Sequence, residues 1–391
     1  MKLAIKLAFK NLIGAGLRTW LNVIVLSFSF VIIIAAKGIL VGWDRQAKND
    51  MTDWEIGEGQ YWNENYDPFD AFTLNDAHAA IPTEFKSDIK NGDMVPTLIT
   101  QGTIYPEGRM ISILLKGIPP QQTLLKLPTH KLDTVVGVIP AIIGSNMARS
   151  NKLNIGDYVT IRWRDVNGTF DATDIFIADI FTCNVPTVDA SQVWLPLDSL
   201  QSMTLLKDEA TILTFANEEN IQQTPENWTL KTFDALVKNI DDMIQTKSVG
   251  QSIFYGILLI LALLAIFDTQ VLSIFRRQKE IGTYVALGFT KYQVVGLFTI
   301  EGAMHAILAA IVGAAYGIPF LLWFAKTGIS LGASSADYGI VMAETMYPVY
   351  SLGLVAGTTL AVLLATSVVS YWPSRKIAKM NPTEALRGKL Q

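Results

Sequence analysis

Cysteine is almost missing from this chain. Cys183 stands alone in 391 residues, which excludes an internal disulfide framework and any CxxC zinc or redox site. Histidine is nearly as scarce: His78, His130 and His305 lie too far apart in sequence to suggest a His-rich metal centre. Charge is also short, at 17% of residues against about 25% in soluble globular proteins. The net charge of −4 argues against nucleic acid as a partner, because phosphate binding needs a basic face. No GxxxxGK[ST] phosphate loop occurs, so these residues hydrolyse no ATP by that route. No spacing marks a nucleophile elbow or a zinc helix either. The chain reads as a non-enzymatic one.

What is present instead is apolar length. An uncharged stretch of about 18 residues or more is a candidate membrane helix. Four apolar runs qualify: Thr19 to Ala36, Val249 to Phe267 with an extension to Phe275 that includes Asp268, Val294 to Ala325 with Glu301 inside it, and Val349 to Trp372. Lys/Arg bias orients such helices. The segments before the first run, between the second and third, and after the fourth hold 13 bases and 2 acids. The remainder of the chain holds 18 bases and 33 acids. Both termini are therefore expected in the cytoplasm and the long segment between the first two helices outside.

The expected fold class is an α-helical membrane protein with four transmembrane helices, one plus three, and a large α+β extracytoplasmic domain between helices 1 and 2. In residue numbers, a cytoplasmic amphipathic helix covers 1–18 and the first membrane helix 19–43. The external core domain with its stalk covers 44–248, and the second membrane helix 249–275. A cytoplasmic coupling helix covers 276–293, the third membrane helix 294–325 and a short external loop 326–348. The fourth membrane helix covers 349–372 and a tail helix 373–391. The first apolar run exceeds a signal peptide's usual 7–15 residues and ends in a poor cleavage site, Ala35-Ala36-Lys37, so it reads as an uncleaved anchor. Lys2, Lys6 and Lys10 recur every four residues, either as the basic stripe of an amphipathic helix on lipid or as an ordinary basic flank.

The segment after the second run carries local structural signals. Gly288 is a natural helix C-cap, and Thr290 with Gln293 is a capping-box pattern that restarts a helix. Ile281, Tyr284, Val285 and Leu287 form an apolar ridge that either enters a groove in a partner or packs on the membrane surface or on the chain's own tail. Asn381-Pro382-Thr383-Glu384 predicts a short tail helix from Pro382. Within the membrane runs, Asp268, Glu301 and His305 are costly to bury in lipid and are expected to face protein, water or each other. Glu301 and His305, four apart, can hydrogen-bond. Small residues recur every four positions at Gly302, Ala306 and Ala310, and again at Gly353, Gly357 and Ala361, predicting close helix packing within the chain or against a second copy.

Taken in order, three segments resemble FtsX-like ABC-transporter permeases of the MacB and lipoprotein-releasing Lol type. They are Lys6–Leu21, Arg277–Gly288 followed by Glu301-Gly302, and Asn381–Arg387. The stretch from Ile143 to Asp157, with Ile177 to Asp198, is similar to a MacB-like periplasmic core domain. The resemblance implies a bacterial inner-membrane permease that binds no cofactor itself and couples ATP hydrolysis in a separate ATPase to motion of its periplasmic domain. The implied partners are a cytoplasmic ATPase dimer binding ATP and Mg, a second permease copy, identical or not, membrane lipid, and a periplasmic cargo or adaptor such as a lipoprotein. Glu280, Ile281, Tyr284, Val285, Leu287 and Gly288 are then the implied ATPase-coupling residues. Lipoprotein release or export is the expected role; tripartite efflux of peptides or drugs and regulation of a cell-wall hydrolase are the alternatives.

In the external segment, strands are predicted over Met110–Lys116, Tyr158–Trp163, Ile175–Phe181 and Gln192–Leu195, and helices over Ser145–Leu153 and Leu230–Thr246. From Asp50 to Phe85 there are nine acids and no base, interleaved with Trp54, Tyr61, Trp62, Tyr66, Phe69 and Phe72. This is either a solvated face whose aromatics cover a sheet or the rim of a binding surface.

Overall fold

The computed structural model describes residues 16–133, 137–217, 224–330 and 345–379. The amphipathic helix expected over the first residues and the tail helix from Pro382 lie outside them. The chain divides into two compact units: a helical unit of residues 1–43, 243–329 and 346–391, and a sheet unit of residues 44–242 with 330–345.

The helical unit is built on four helices, α1 (Leu17–Met51), α6 (Phe233–Arg276), α8 (Lys291–Thr327) and α9 (Leu352–Ser374). All four are long and apolar enough to cross a membrane. A helix suits lipid because each backbone N–H and C=O is satisfied inside the segment. One core joins them: Val23, Leu26 and Phe30 of α1, Ala262 and Ile266 of α6, Ala306 and Ala309 of α8, and Val362 of α9. Polar ties cross this core. The Asn22 amide donates to Thr269 Oγ1 at 2.5 Å and to the Ala265 carbonyl at 3.2 Å. Ser27 and Tyr316 hydroxyls meet at 3.3 Å.

The short α7 (Gln278–Ala286) lies between α6 and α8. Helices α1 and α6 are far longer than the apolar runs that predict them. Their polar extensions belong to the sheet unit, where Lys48 Nζ meets Asp241 at 2.5 Å and Asp44 at 3.1 Å.

The sheet unit holds a nine-stranded sheet in the order β11-β1-β10-β3-β4-β8-β5-β7-β6, a separate short pair, β2 (Ala79–Ala80) with β9 (Glu209–Ala210), and the helices α2 (Lys86–Asn91), α3 (Ser145–Asn151), α4 (Pro186–Ser191) and α5 (Leu197–Thr204). The nine strands are β1 (Gly59–Asn63), β3 (Met94–Ile104), β4 (Ile111–Ile118), β5 (Ile139–Gly144), β6 (Tyr158–Arg164), β7 (Phe170–Phe181), β8 (Gln192–Pro196), β10 (Ile212–Phe215) and β11 (Trp228–Thr232). The far end of β3 pairs again with β6, Gly102 opposite Trp163, so six of the strands close into a ring. Pairs β4–β8 and β5–β7 are parallel; the remaining ladders are antiparallel. Leu98, Leu115, Ala141, Ile143, Ile161, Ile175, Ile177, Val193 and Leu195 fill one core of this unit. Tyr61, Phe85, Met94, Leu213, Phe215 and Trp228 fill a second.

The predicted strands and the helix at Ser145 form within a few residues of expectation, the strands from their β-branched and aromatic content and, where one face is wet, from alternation as well. β6 is the clean case, with Val159, Ile161 and Trp163 buried between exposed neighbours. Strands β3 and β10 are buried on both faces and show no period to read. The helix expected from Leu230 begins instead at Phe233, since Trp228–Thr232 is claimed by its antiparallel ladder with β1.

Candidate functional site

The connection from α6 to α8 is defined residue by residue. Arg277, with φ −103° and ψ 22°, breaks α6 from α7 while hydrogen bonds continue across it, Arg277 N to Ser273 O and Ile281 N to Arg277 O. At the other end of α7, Gly288 takes φ +96°, a left-handed position that glycine occupies cheaply. Its N–H donates to Val285 O and that of Phe289 to Tyr284 O, closing a Schellman motif with the Tyr284 and Phe289 rings 5.8 Å apart. Thr290 and Gln293 then form the reciprocal capping box that starts α8. Three local devices therefore hold the segment in one shape.

The ridge on α7 divides. Ile281 is buried with Ile274, Val294, Val295, Phe298 and Ile377, and Tyr284 and Val285 pack half-buried on the same cluster. Ile377 and Ala378 come from the segment after α9, so this part of the ridge covers the chain's own core. Leu287 points outward at 72% exposure, and Phe289 and Tyr292, the latter at 83%, extend the exposed apolar edge. Neither aromatic belongs to the ridge because both fall beyond the end of α7.

Arg277 organises the polar side. Its Nη1 lies 2.9 Å from both carboxylate oxygens of Glu301, and its Nε donates to Glu280 at 2.6 Å. The guanidinium also sits over the Phe298 ring at 4.9 Å. The Glu301 side chain is 7% exposed. His305 meets the carbonyls of Glu301 and Gly302 through Nδ1, each at 3.2 Å, so its ring bonds to backbone rather than to the Glu301 carboxylate. Its Nε2 is buried with no hydrogen-bond partner among the described residues. Asp268 occupies an exposed position on α6.

The two small-residue stripes have different surroundings. Gly302 and Ala306 are buried, with Gly302 against Ser370 and Gln270, and Ala310 is half-buried. Gly353, Gly357 and Ala361 are exposed, and α9 instead turns Thr358, Val362, Thr366 and Ser370 inward.

A second polar centre lies in the sheet unit, where a π-helical turn, Thr52–Ile56, follows α1. Glu55 accepts from Lys116 Nζ at 2.9 Å, Gln192 Nε2 at 3.1 Å and Thr187 Oγ1 at 3.1 Å. Lys116, 3% exposed in β4, lies 5.0 Å over the Trp194 ring. Flanking residues hold the same turn: Trp54 stacks on Phe181 at 5.7 Å, and Lys126 reaches Asp53 at 2.6 Å. The sequence signal was a single base in the otherwise apolar strand Ile-Ser-Ile-Leu-Leu-Lys-Gly-Ile; its partner, 61 residues away, carried none.

Burial disfavours the Glu55 anion, but the Lys116 ammonium and the hydrogen bonds from Lys116, Gln192 and Thr187 together outweigh it and hold the carboxyl below the ordinary carboxylate range. The folded carboxyl thus binds its proton less tightly than the unfolded one. Its stabilisation is present above the unfolded value of about 4.3 and is lost as pH falls through the lower folded value. Acid titration of stability, followed by tryptophan fluorescence, is expected to show this loss in the wild type and a smaller one in Glu55→Gln. Identical acid profiles would refute it.

The acidic segment serves mostly as a cover: Tyr61 is fully buried against Phe85 and Phe215, and Trp62 packs edge-on against Tyr66. Phe69 and Phe72 stay exposed. Cys183 is buried beside the Val185 carbonyl, and burial pushes its thiol up to about 12. Among the described residues no group of three or more His, Cys, Asp or Glu side chains is placed to hold a metal.

Residues 252–382, which contain α7 and its surroundings, match the family described as FtsX-like permease C-terminal. The chain carries an FtsX-like permease domain. Curated proteins similar to the chain are named in the same terms. The ABC transporter permease MJ1507 of Methanocaldococcus jannaschii is 26% identical over 42% of this chain and 38% of that protein. The ABC transporter permease YknZ of Bacillus subtilis is 24% identical over 56% of this chain and 50% of its own length. The macrolide export ATP-binding/permease protein MacB 2 of Aeromonas hydrophila is 22% identical over 50% of this chain and 30% of its own. The matches thus span half or less of these relatives. The crystal structure of the YknZ extracellular domain aligns with 44% of the chain at 14% identity, with a TM-score of 0.27, too low to establish a shared fold.

Proposed function

We propose that this chain is the permease subunit of an ABC transporter working by mechanotransmission. ATP binding and hydrolysis occur in a partner ATPase dimer that holds the ATP and Mg, and the FtsX-like domain converts its closure into motion of the sheet unit. The observation that carries the reading is α7 with its exposed edge. A short helix fixed by a Schellman motif and a capping box presents Leu287, Phe289 and Tyr292 at the end of a membrane helix. A preformed apolar edge suits a groove in a partner, since little ordering entropy is lost on docking. Glu280, Tyr284 and Val285 border this edge, and Ile281 supports it from behind.

The basic flanks of the apolar helices support a reading in which α7 and both termini lie in the cytoplasm, at a bacterial inner membrane, with the sheet unit in the periplasm. A second permease copy completes the assembly, and the exposed Gly353, Gly357 and Ala361 face is open to it or to lipid. The sheet unit meets the cargo, a lipoprotein for release or export. The MacB relatives favour a second reading, export of peptides or drugs through a periplasmic adaptor.

The test is purification of the tagged chain in mild detergent with mass spectrometry of what remains bound. An ABC ATPase is expected, and lipoproteins or an adaptor beside it decide between the two cargo readings. Reproducible absence of any ATPase, from cells that express the neighbouring genes, would overturn the proposal. Leu287→Asp and Tyr292→Asp are each expected to cut ATPase retention at least tenfold with thermal stability unchanged, because both side chains leave the core untouched. Retention at the wild-type level in both would show that the docking edge lies elsewhere.

A further inference from the structure

We infer that Arg277 is the positioning residue that makes α7 and α8 move as one body. This rests on the reading of α7 as the element that receives motion from an ATPase. Two kinds of contact hold α7 in place. The first is the apolar cluster of Ile274, Ile281, Val294, Val295, Phe298 and Ile377. Apolar burial is non-directional, so such a cluster resists separation of the helices but little opposes a small roll or slide of one over another. The second is the guanidinium of Arg277, and it has direction. It takes Glu301 of α8 through Nη1 and Glu280 of α7 through Nε, and it sits over the Phe298 ring.

A planar fork between two carboxylates on different helices fixes angle as well as distance. The Glu301 carboxylate is almost wholly buried, so a roll of α7 that withdraws the arginine takes a charged partner from a buried anion. The energetic penalty of separating the pair therefore rises steeply with displacement. A push on α7 is delivered to α8 at Glu301, more than two turns inside that helix, rather than absorbed in the connecting turn at Gly288.

The test uses the full chain with the ATPase that copurifies with the wild type, reconstituted in lipid nanodiscs. A spectroscopic label on Phe69→Cys, an exposed site in the sheet unit, reports ATP-driven motion in a Cys183→Ala background. Arg277→Lys keeps the charge and removes the fork. Glu301→Gln keeps the shape and removes the buried anion. Both variants are expected to retain ATPase and to hydrolyse ATP within about twofold of wild type, while the ATP-driven label response falls at least tenfold.

A label response within twofold of wild type in both variants overturns the inference. So does a parallel fall of retention, hydrolysis and response in Arg277→Lys, the variant that keeps the charge pair, because that pattern belongs to a residue that merely holds the fold. Failure of the underlying reading is seen separately, in the wild type, as absence of a retained ATPase or of any ATP-driven response.

Discussion

Replacing Lys116 by alanine is expected to lower the stability of the sheet unit by about 3–5 kcal/mol, the usual consequence of removing one member of a buried ion pair. The loss comes less from the missing attraction than from Glu55, which is left charged beside Gln192 and Thr187 with its main partner gone. Removing both charges is expected to behave differently. Glu55→Leu with Lys116→Met exchanges the pair for apolar side chains of similar volume, a change that is often neutral or stabilising. Chemical unfolding of the full chain in detergent, followed by tryptophan fluorescence, can measure this, since Trp54, Trp62, Trp163, Trp194 and Trp228 all lie in the sheet unit. A Lys116→Ala variant within about 1 kcal/mol of wild type would contradict the account of a buried, obligatory partner.

Gly302→Ala is expected to destabilise the helical unit, whereas Gly357→Ala, in the second small-residue stripe, is not. A Cβ at Gly302 would fall 2.2 Å from Ser370 Oγ and 2.3 Å from Ser370 Cβ, with Gln270 Nε2 at 3.0 Å. Because the obstacle includes the root of the Ser370 side chain, α8 and α9 must move apart. Overpacking of this kind typically costs about 1–3 kcal/mol. A Cβ at Gly357 meets nothing within 4 Å among the described residues. There alanine gains up to about 1 kcal/mol of helix propensity. Thermal unfolding of both variants in the same detergent separates them. Equal stability of Gly302→Ala and wild type would sink the packing argument, and a loss in Gly357→Ala would show that a second copy covers the outer face of α9.

These two positions also show where sequence reading reached its limit. The repeat of small residues every four positions is visible on both α8 and α9, because helical period is a local property. Which stripe meets a neighbour is not, since Thr358, Val362, Thr366 and Ser370 share the same period one position later and are the residues that α9 buries. The ridge on α7 behaves alike. Its spacing is legible, but Ile281 turns to the chain's own core and Leu287 away from it only because Ile377 and Val294 arrive from elsewhere in the chain. Phe289 and Tyr292 lie beyond Gly288, where the helical period ends, so the spacing along α7 carries no information about them.

The features that the amino-acid sequence by itself determined are those governed by near neighbours. Apolar length predicts four helices able to cross a membrane, and four are found among the described residues. Glycine at 288 and the Thr290–Gln293 pair end one helix and begin the next through contacts no more than five residues apart. The tertiary structure alone decided the partners of buried charges. Arg277 finds Glu301 across 24 positions and Glu55 finds Lys116 across 61. A charge withdrawn from water must be compensated wherever the fold supplies an opposite one. Local rules show that such a partner is needed, and only the packing of distant elements chooses which residue it is.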